Sequence, residues 1–483
     1  MIRGPLADAF LGGLSKMLCA RMGLHFPRER WDDLEKGLAS ACRELGSSDP
    51  ASCARWLLSA PMTQGQVEIL ASHLTVGETY FLRDARSFEV LEQRVLPDLL
   101  RSRSEAEWRL RVWSAGCCTG EEPYSIAMLL DRVLPNSRKR NLTILATDIN
   151  PIFLRKAAQG VYGEWSFRAM PGWMRERYFT RRSDGRHEVR PEIRRMVTFS
   201  YLNLADDAFP SLATNTNALD VIFCRNVLMY FAPVRVAATA ARLHRALCDG
   251  GWLFVSPSEM SQALFPQFAM ADLGGALAYR KSARSGPQAV VAQPSPASGA
   301  AGWRAVAETA IAPFDDAQGS AVRTRPPVRS GDVEDVVQLQ PLAGAAAPPF
   351  EAARREANEG RLDAALAWCD KALAADRLDP MHHYLHAMIQ LERGQREAAA
   401  LAFERTLYLA PGFVLAHVAM GNLRVGQGRH VEARRHFGNA LELLRKLPDD
   451  AVVPESEGLT AGRMADIVTS LRLSLLPASA GLV

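Results

Sequence analysis

Apolar positions recur along the start of the chain at three- and four-residue steps: Leu11, Leu14 and Leu18, then Trp31, Leu34, Leu38, Cys42 and Leu45. That spacing collects them on one face of a helical turn and predicts a small helical domain over residues 1–75. From Trp108 the period changes. Trp108-Arg-Leu-Arg-Val-Trp-Ser114 alternates apolar and polar side chains as a strand does, whereas Tyr124–Leu134 carries the continuous apolar face of a buried helix. Strands are predicted at Arg109–Trp113, Leu142–Thr147, Val197–Tyr201, Leu219–Cys224 and Trp252–Ser256, with helical stretches between most of them. This alternation predicts an α/β fold, a doubly wound domain over residues 76–281. Inside it, Ser183-Asp-Gly185 is a hairpin signal between short candidate strands, so residues 163–200 are expected to form a small antiparallel β insertion. Ahead of it, His73-Leu-Thr-Val-Gly-Glu-Thr-Tyr-Phe-Leu-Arg83-Asp84 fits no amphipathic helix; by pattern alone it is a linker bearing a surface arginine.

Residues 282–345 are rich in Ala, Pro, Ser and Gly and predict a flexible, disordered linker, within which Trp303–Phe314 has the pattern of a transient helix. A repeat follows. Gly360, Gly394 and Gly428 are 34 residues apart, as are Ala365, Ala399 and Ala433, and Cys369, Phe403 and Phe437. A 34-residue period with small residues at turns and helix crossings predicts three tetratricopeptide repeats over residues 346–447. Pro411 closes the second repeat as expected, while Pro380 sits late in the first. The concave side of such a stack suits a protein segment, so an unidentified protein ligand is expected there. Residues 448–483 then supply a capping helix or tail.

Composition narrows the picture only slightly. At 48% apolar and 23% charged residues the 483-residue chain has the make-up of a globular protein. A net charge of +4 is too small to indicate nucleic-acid or membrane binding. No apolar run approaches a membrane span, and Asp8 with its short apolar neighbour makes a poor signal peptide. The eight cysteines (19, 42, 53, 117, 118, 224, 248 and 369) contain no CxxC pair and no disulfide-like density, which favours a reducing cytoplasm. The insertion holds nine arginines against five acids, a surplus of four that matches the charge of the whole chain. Such a face is either solvated or a dock for an acidic protein, with nucleic acid a weaker option.

The candidate chemistry centres on Trp113-Ser-Ala-Gly-Cys-Cys-Thr-Gly-Glu-Glu-Pro-Tyr124. A strand, a turn of small residues and a helix N-terminus make a nucleotide-type site at the carboxyl edge of a sheet. Asp148, Asn203 and Arg225-Asn226 stand at other strand ends, and such ends converge on one crevice. A carboxylate after the second strand suits two ribose hydroxyls, because it only accepts hydrogen bonds. The turn Gly116-Cys-Cys-Thr-Gly120 lacks the GxGxxG of a dinucleotide site, Asp148 lies farther on than that motif's acid, and no Walker lysine is present. A phosphate-free adenosyl ligand, S-adenosylmethionine, fits better. An NAD-dependent oxidoreductase is therefore disfavoured, as is a nucleic-acid methyltransferase, whose acceptor motif is not found.

The chain from about residue 10 to 281 resembles the CheR family, the chemotaxis-receptor protein-glutamate O-methyltransferases. The resemblance rests on Glu78-Thr-Tyr-Phe-Leu-Arg83, Trp113–Ser125, Ala146-Thr-Asp148-Ile, Leu202-Asn203-Leu204 and Phe223-Cys-Arg-Asn-Val-Leu-Met-Tyr-Phe231, in that order. It implies a Rossmann-like fold and transfer of the methyl of S-adenosylmethionine to glutamates on the cytoplasmic domain of a chemoreceptor, leaving S-adenosylhomocysteine. It also implies cofactor contacts from Thr79, Arg83, Glu122, Asp148, Asn203, Leu204, Asn226 and Val227, with Gly77 contributing only backbone. Arg83 and Tyr230 match positions near the transferring methyl. In the family the basic insertion docks on the receptor. Here it is short between Phe179 and Phe199, which shifts partner-finding toward the repeats. The alternative is a catalytically degenerate scaffold in a chemosensory complex.

Overall fold

A computed structural model describes residues 8–101, 108–134, 141–212, 214–274, 276–282, 348–449, 451–456, 459–473 and 475. Four helices open the chain: α1 (Asp8–Met22), α2 (Trp31–Glu44), α3 (Pro50–Ser59) and α4 (Gln64–Leu74). Their starts are written locally. Asp49 accepts the amides of Ala51 and Ser52 ahead of Pro50, and Thr63 with Gln66 forms a capping box. Leu11, Leu14, Leu18, Leu34, Leu38, Leu57 and Leu70 fill one core between the helices. Cys42 and Cys53 form a disulfide between α2 and α3, with Cα atoms 5.9 Å apart. The sequence shows no disulfide-like density, and spacing gives no sign that two helix faces would oppose these residues. The other six cysteines form no disulfide.

After α5 (Ala85–Val90), a π-helical turn at Leu91–Val95 leads into α6 (Leu96–Arg101). The central domain then alternates β1 (Leu110–Ala115), α7 (Glu121–Val133), β2 (Leu142–Asp148) and α8 (Pro151–Gln159). A side excursion follows: β3 (Val161–Tyr162), α9 (Gly172–Tyr178), β4 (Phe179–Arg181), β5 (His187–Val189) and α10 (Pro191–Arg194). The main sheet resumes with β6 (Val197–Tyr201), β7 (Leu219–Phe223), α11 (Pro233–Ala246), β8 (Leu247–Phe254), β9 (Ala269–Asp272) and β10 (Leu277–Arg280). Its order is β6-β2-β1-β7-β8-β10-β9, parallel from β6 to β8 and antiparallel in the last pairings. The small sheet runs β3-β5-β4, so the insertion also recruits Val161 and Tyr162, just ahead of its expected start.

Order reverses between β1 and β7, which makes the carboxyl ends of these strands a topological switch point. Trp113 is wholly buried beneath it and donates from Nε1 to Thr147 Oγ1 (2.9 Å), locking β1 to β2.

Three helix pairs follow: α12 (Pro349–Asn358) with α13 (Leu362–Ala375), α14 (Pro380–Glu392) with α15 (Arg396–Leu409), and α16 (Val414–Gly426) with α17 (His430–Leu444). Gly360, Gly394 and Gly428 take φ of +78°, +76° and +74° at the three intra-pair turns. Ala365, Ala399, Ala433, Cys369, Phe403 and Phe437 have no solvent exposure, so the sequence period is a packing period. α18 (Ala461–Leu473) lays Met464 and Val468 against the last pair. The linker expected at 282–345, including the helix expected at Trp303–Phe314, lies almost wholly outside the described residues. Among the described residues no helix is long and apolar enough to cross a membrane.

Candidate active site

At the switch point the chain leaves β1 through Gly116, whose φ of +83° only glycine adopts without strain. A Cβ there would run into Cγ2 of Val227. The amides of Gly116 and Cys117 donate to Thr147 O (2.8 and 2.9 Å), and that of Cys118 to Asp148 Oδ2 (2.8 Å). These turn amides are consumed inside the protein, so they make no cradle for a pyrophosphate. Gly116→Ala is expected to strain the turn, displace Val227, cost roughly 1–3 kcal/mol of stability and weaken S-adenosylhomocysteine binding more than tenfold, read by thermal melting and calorimetry.

The cleft above the turn has about 1090 Å³ of empty space counted out to its mouth. Thr79, Arg83, Glu122, Asp148, Asn203, Leu204, Asn226, Val227 and Tyr230 all line it. Gly77 does not. It packs under Phe153, where a Cβ would stand 2.6 Å from the ring, so the backbone contact expected of it is absent from the cleft wall.

Each polar wall residue is held by the fold. Asp148 accepts the amide of Cys118 on Oδ2 and that of Asn150 on Oδ1 (2.9 Å), with the amide of Ile149 also bonded to its carboxylate. Burial pushes its carboxyl from the ordinary 3.8 up to about 6. Glu122 accepts from Ser114 Oγ (2.7 Å), and its second oxygen is 3.6 Å from Arg225. Burial raises its pKa too, against the pull of Arg225. Asn203 donates to Arg21 O (2.7 Å) and accepts from Ala205 N (3.0 Å).

Arg225 ties the approach segment down, donating to Arg83 O (2.8 Å) and Asp84 Oδ2 (2.9 Å). Leu82 and Asp84 flank Arg83 at positive φ, 58° and 60°. The apparent linker is therefore a bent strap that brings Arg83 to the mouth, where its guanidinium donates to Glu78 O (2.6 Å).

Two contributions escaped sequence reasoning. Met22, Leu24, His25, Phe26 and Arg30 close one wall, and His25 N donates to Tyr230 O (2.8 Å), so the helical domain is part of the site. The break in helical period after Met22 was the available signal. Glu259 is 7% exposed and accepts the amides of Asn226, Val227 (both 2.8 Å), Met229 (3.1 Å) and Ser256 (2.9 Å). It thereby sets the loop that carries Asn226 to Tyr230. The capping-box spacing Ser256-Pro-Ser-Glu259 would have flagged it.

A doubly wound sheet, a phosphate-excluding turn and an acid-lined cleft at the switch point together define an S-adenosylmethionine-dependent methyltransferase. Residues 77–272 match the family model for the CheR methyltransferase, SAM binding domain. Chemotaxis protein methyltransferase 1 of Pseudomonas aeruginosa is 36% identical over 220 residues, covering 45% of this chain and 78% of that protein. The chemotaxis protein methyltransferase of Borreliella burgdorferi is 30% identical over 251 residues, 52% of this chain and 87% of the relative. The probable biofilm formation methyltransferase WspC of Pseudomonas aeruginosa is 31% identical over 382 residues, 77% of this chain and 85% of the relative. The chain belongs to the CheR family of chemotaxis methyltransferases, the protein-glutamate O-methyltransferases.

Proposed function

We propose that the cleft binds S-adenosylmethionine with its ribose on Asp148 and its methyl facing Arg83 and Tyr230, and that the acceptor is a glutamate on the cytoplasmic domain of a chemoreceptor. The observation that carries this is Asp148, a buried carboxylate in the cleft wall beside a turn whose amides at Gly116, Cys117 and Cys118 are taken up inside the protein. Glu122, Asn203, Leu204, Asn226, Val227 and Thr79 complete the cofactor wall, and Arg225 holds the strap against it.

The cofactor supplies an activated methyl on a sulfonium. The protein's task is alignment. A glutamate carboxylate, with a reference pKa of about 4.3, is ionised at neutral pH and needs no general base. Arg83 steers it by charge and Tyr230 orients it by hydrogen bond, and alignment of this kind is worth up to roughly 7–11 kcal/mol. Charge is neutralised as an ester forms, so the apolar wall of Met22, Leu24, Phe26 and Phe231 favours the reaction by excluding water.

The arginine-rich insertion is the surface we assign to the acidic receptor, and the repeats are assigned a protein partner of their own. We place the reaction in the cytoplasm, on the receptor's cytoplasmic domain. Isothermal titration with S-adenosylmethionine and S-adenosylhomocysteine tests the reading. One site per chain for each ligand is expected, and absence of binding would leave a scaffold with a degenerate methyltransferase fold.

A further inference from the structure

Arg111 in β1, and Arg109 immediately ahead of it, are out of place. A strand in the middle of a parallel sheet is covered on both faces and is usually apolar throughout. The two arginines share a face, being two residues apart, and both reach Glu392, the last residue of α14 in the second repeat. Arg109 donates to its carbonyl (3.1 Å), and Nη1 of Arg111 lies 3.0 and 2.9 Å from its two carboxylate oxygens. Both side chains of the Arg111–Glu392 pair are only 7% exposed. Nη2 of Arg111 continues to the connection between β6 and β7, donating to Asn215 O (3.2 Å) and Oδ1 (2.6 Å).

The same connection enters the repeats elsewhere. Leu212 sits in one apolar cluster with Ala353 and Ala357 of α12, Cys369 of α13, and Leu385 and Ile389 of α14. Its amide donates to Asn358 Oδ1 (3.1 Å), and Ala218 lies so near that a Cβ on Gly360 would be 3.0 Å from it. Asn358 and Glu392 are one 34-residue period apart and end the first helices of successive repeats. Equivalent positions of neighbouring repeats thus reach one connection, Asn358 directly at Leu212 and Glu392 through Arg111 to Asn215.

We propose that the β6–β7 connection is a ligand of the repeat array in cis, and that its capture is coupled to the cofactor cleft. The coupling has a short physical route. The connection begins at Leu202, Asn203 and Leu204, which line the cleft, and reaches the repeats eight residues later at Leu212. β1 carries Ser114 near its end, and Arg225 stands two residues past the end of β7; both are partners of Glu122. A partner protein that took over the grip of Asn358 and Glu392 would release the connection and loosen the cleft. The coupling rests on the cofactor reading above, whereas the docking does not.

The test uses the full chain with Glu392→Gln and with Leu212→Ser, measuring hydrogen exchange of segments 209–218 and 380–392 and calorimetric affinity for S-adenosylhomocysteine. Tenfold or faster exchange in both segments and at least threefold weaker binding are expected. Unchanged exchange overturns the docking; faster exchange with unchanged affinity overturns the coupling. Should either variant fail to fold, Asn358→Ala removes only the acceptor of the Leu212 amide, and the same two readouts decide with smaller shifts. Failure of the unaltered chain to bind S-adenosylhomocysteine would sink the cofactor reading and leave exchange to judge the docking.

Discussion

Asp148→Asn is expected to leave the protein folded and to remove S-adenosylhomocysteine binding from the calorimetric range. The stability terms nearly cancel. Raising a carboxyl from 3.8 to about 6 means that its charge costs the fold on the order of 3 kcal/mol at neutral pH, a cost that asparagine removes. The amide keeps one acceptor oxygen and turns a donor toward Cys118 N or Asn150 N, and one unmet amide costs roughly 1–3 kcal/mol. Binding has no such compensation. Two charge-assisted hydrogen bonds to ribose, each about 1.5–3 kcal/mol, amount to a loss of roughly 100-fold to 10⁴-fold in affinity.

The sign with pH follows from the direction of the shift. Because burial raises the folded-state pKa of Asp148, its contribution to stability is full below about 3.8 and is lost as pH rises through about 6. Cofactor binding needs the ionised form and runs the other way, weakening about tenfold per unit as pH falls below about 6. Asp148→Asn removes both dependences. Tight binding by this variant would detach Asp148 from the ribose.

Arg83→Ala is expected to slow methyl transfer by about 10²–10³-fold while S-adenosylhomocysteine affinity changes less than about tenfold. Arg83 sits at the mouth on a strap held by Arg225 and by the donation of Leu82 N to Ser125 Oγ (3.0 Å). Removing its side chain therefore takes away a positioned charge without unfolding the strap. Single-turnover rates with saturating cofactor separate the two effects. Equal rates for variant and parent would remove Arg83 from the transfer step, and a loss confined to affinity would make it a cofactor residue only.

The strands and their polar ends were legible because period and strand-end chemistry are local properties. Asp148, Asn203 and Asn226 followed from the rule that parallel strands converge at their carboxyl ends. The repeats were legible through their 34-residue register, which reappears as three positive-φ glycines and two sets of buried side chains. What escaped depends on contacts far apart in sequence. Nothing near Cys42 marks Cys53 as its neighbour, and nothing near Met22 announces the cleft wall. Gly77 entered only as a position matched to the family, just ahead of the Glu78–Arg83 motif, and it packs under Phe153. Arg109 and Arg111 supported the strand by their alternation, but their burial made sense only once Glu392, far along the chain, lay against them. The segment His73–Asp84 shows the opposite case: its pattern alone gave a linker, and only its pairing with Arg225 makes it part of the site.

The most direct measurement is mass spectrometry of a chemoreceptor signalling fragment after incubation with this protein and S-adenosylmethionine. The account predicts one-methyl mass increases on glutamate side chains that disappear on mild base treatment, as methyl esters do, and that are absent with the Asp148→Asn variant. A modification that survives base, or one that forms equally well with that variant, would contradict transfer to a glutamate carboxylate from this cleft.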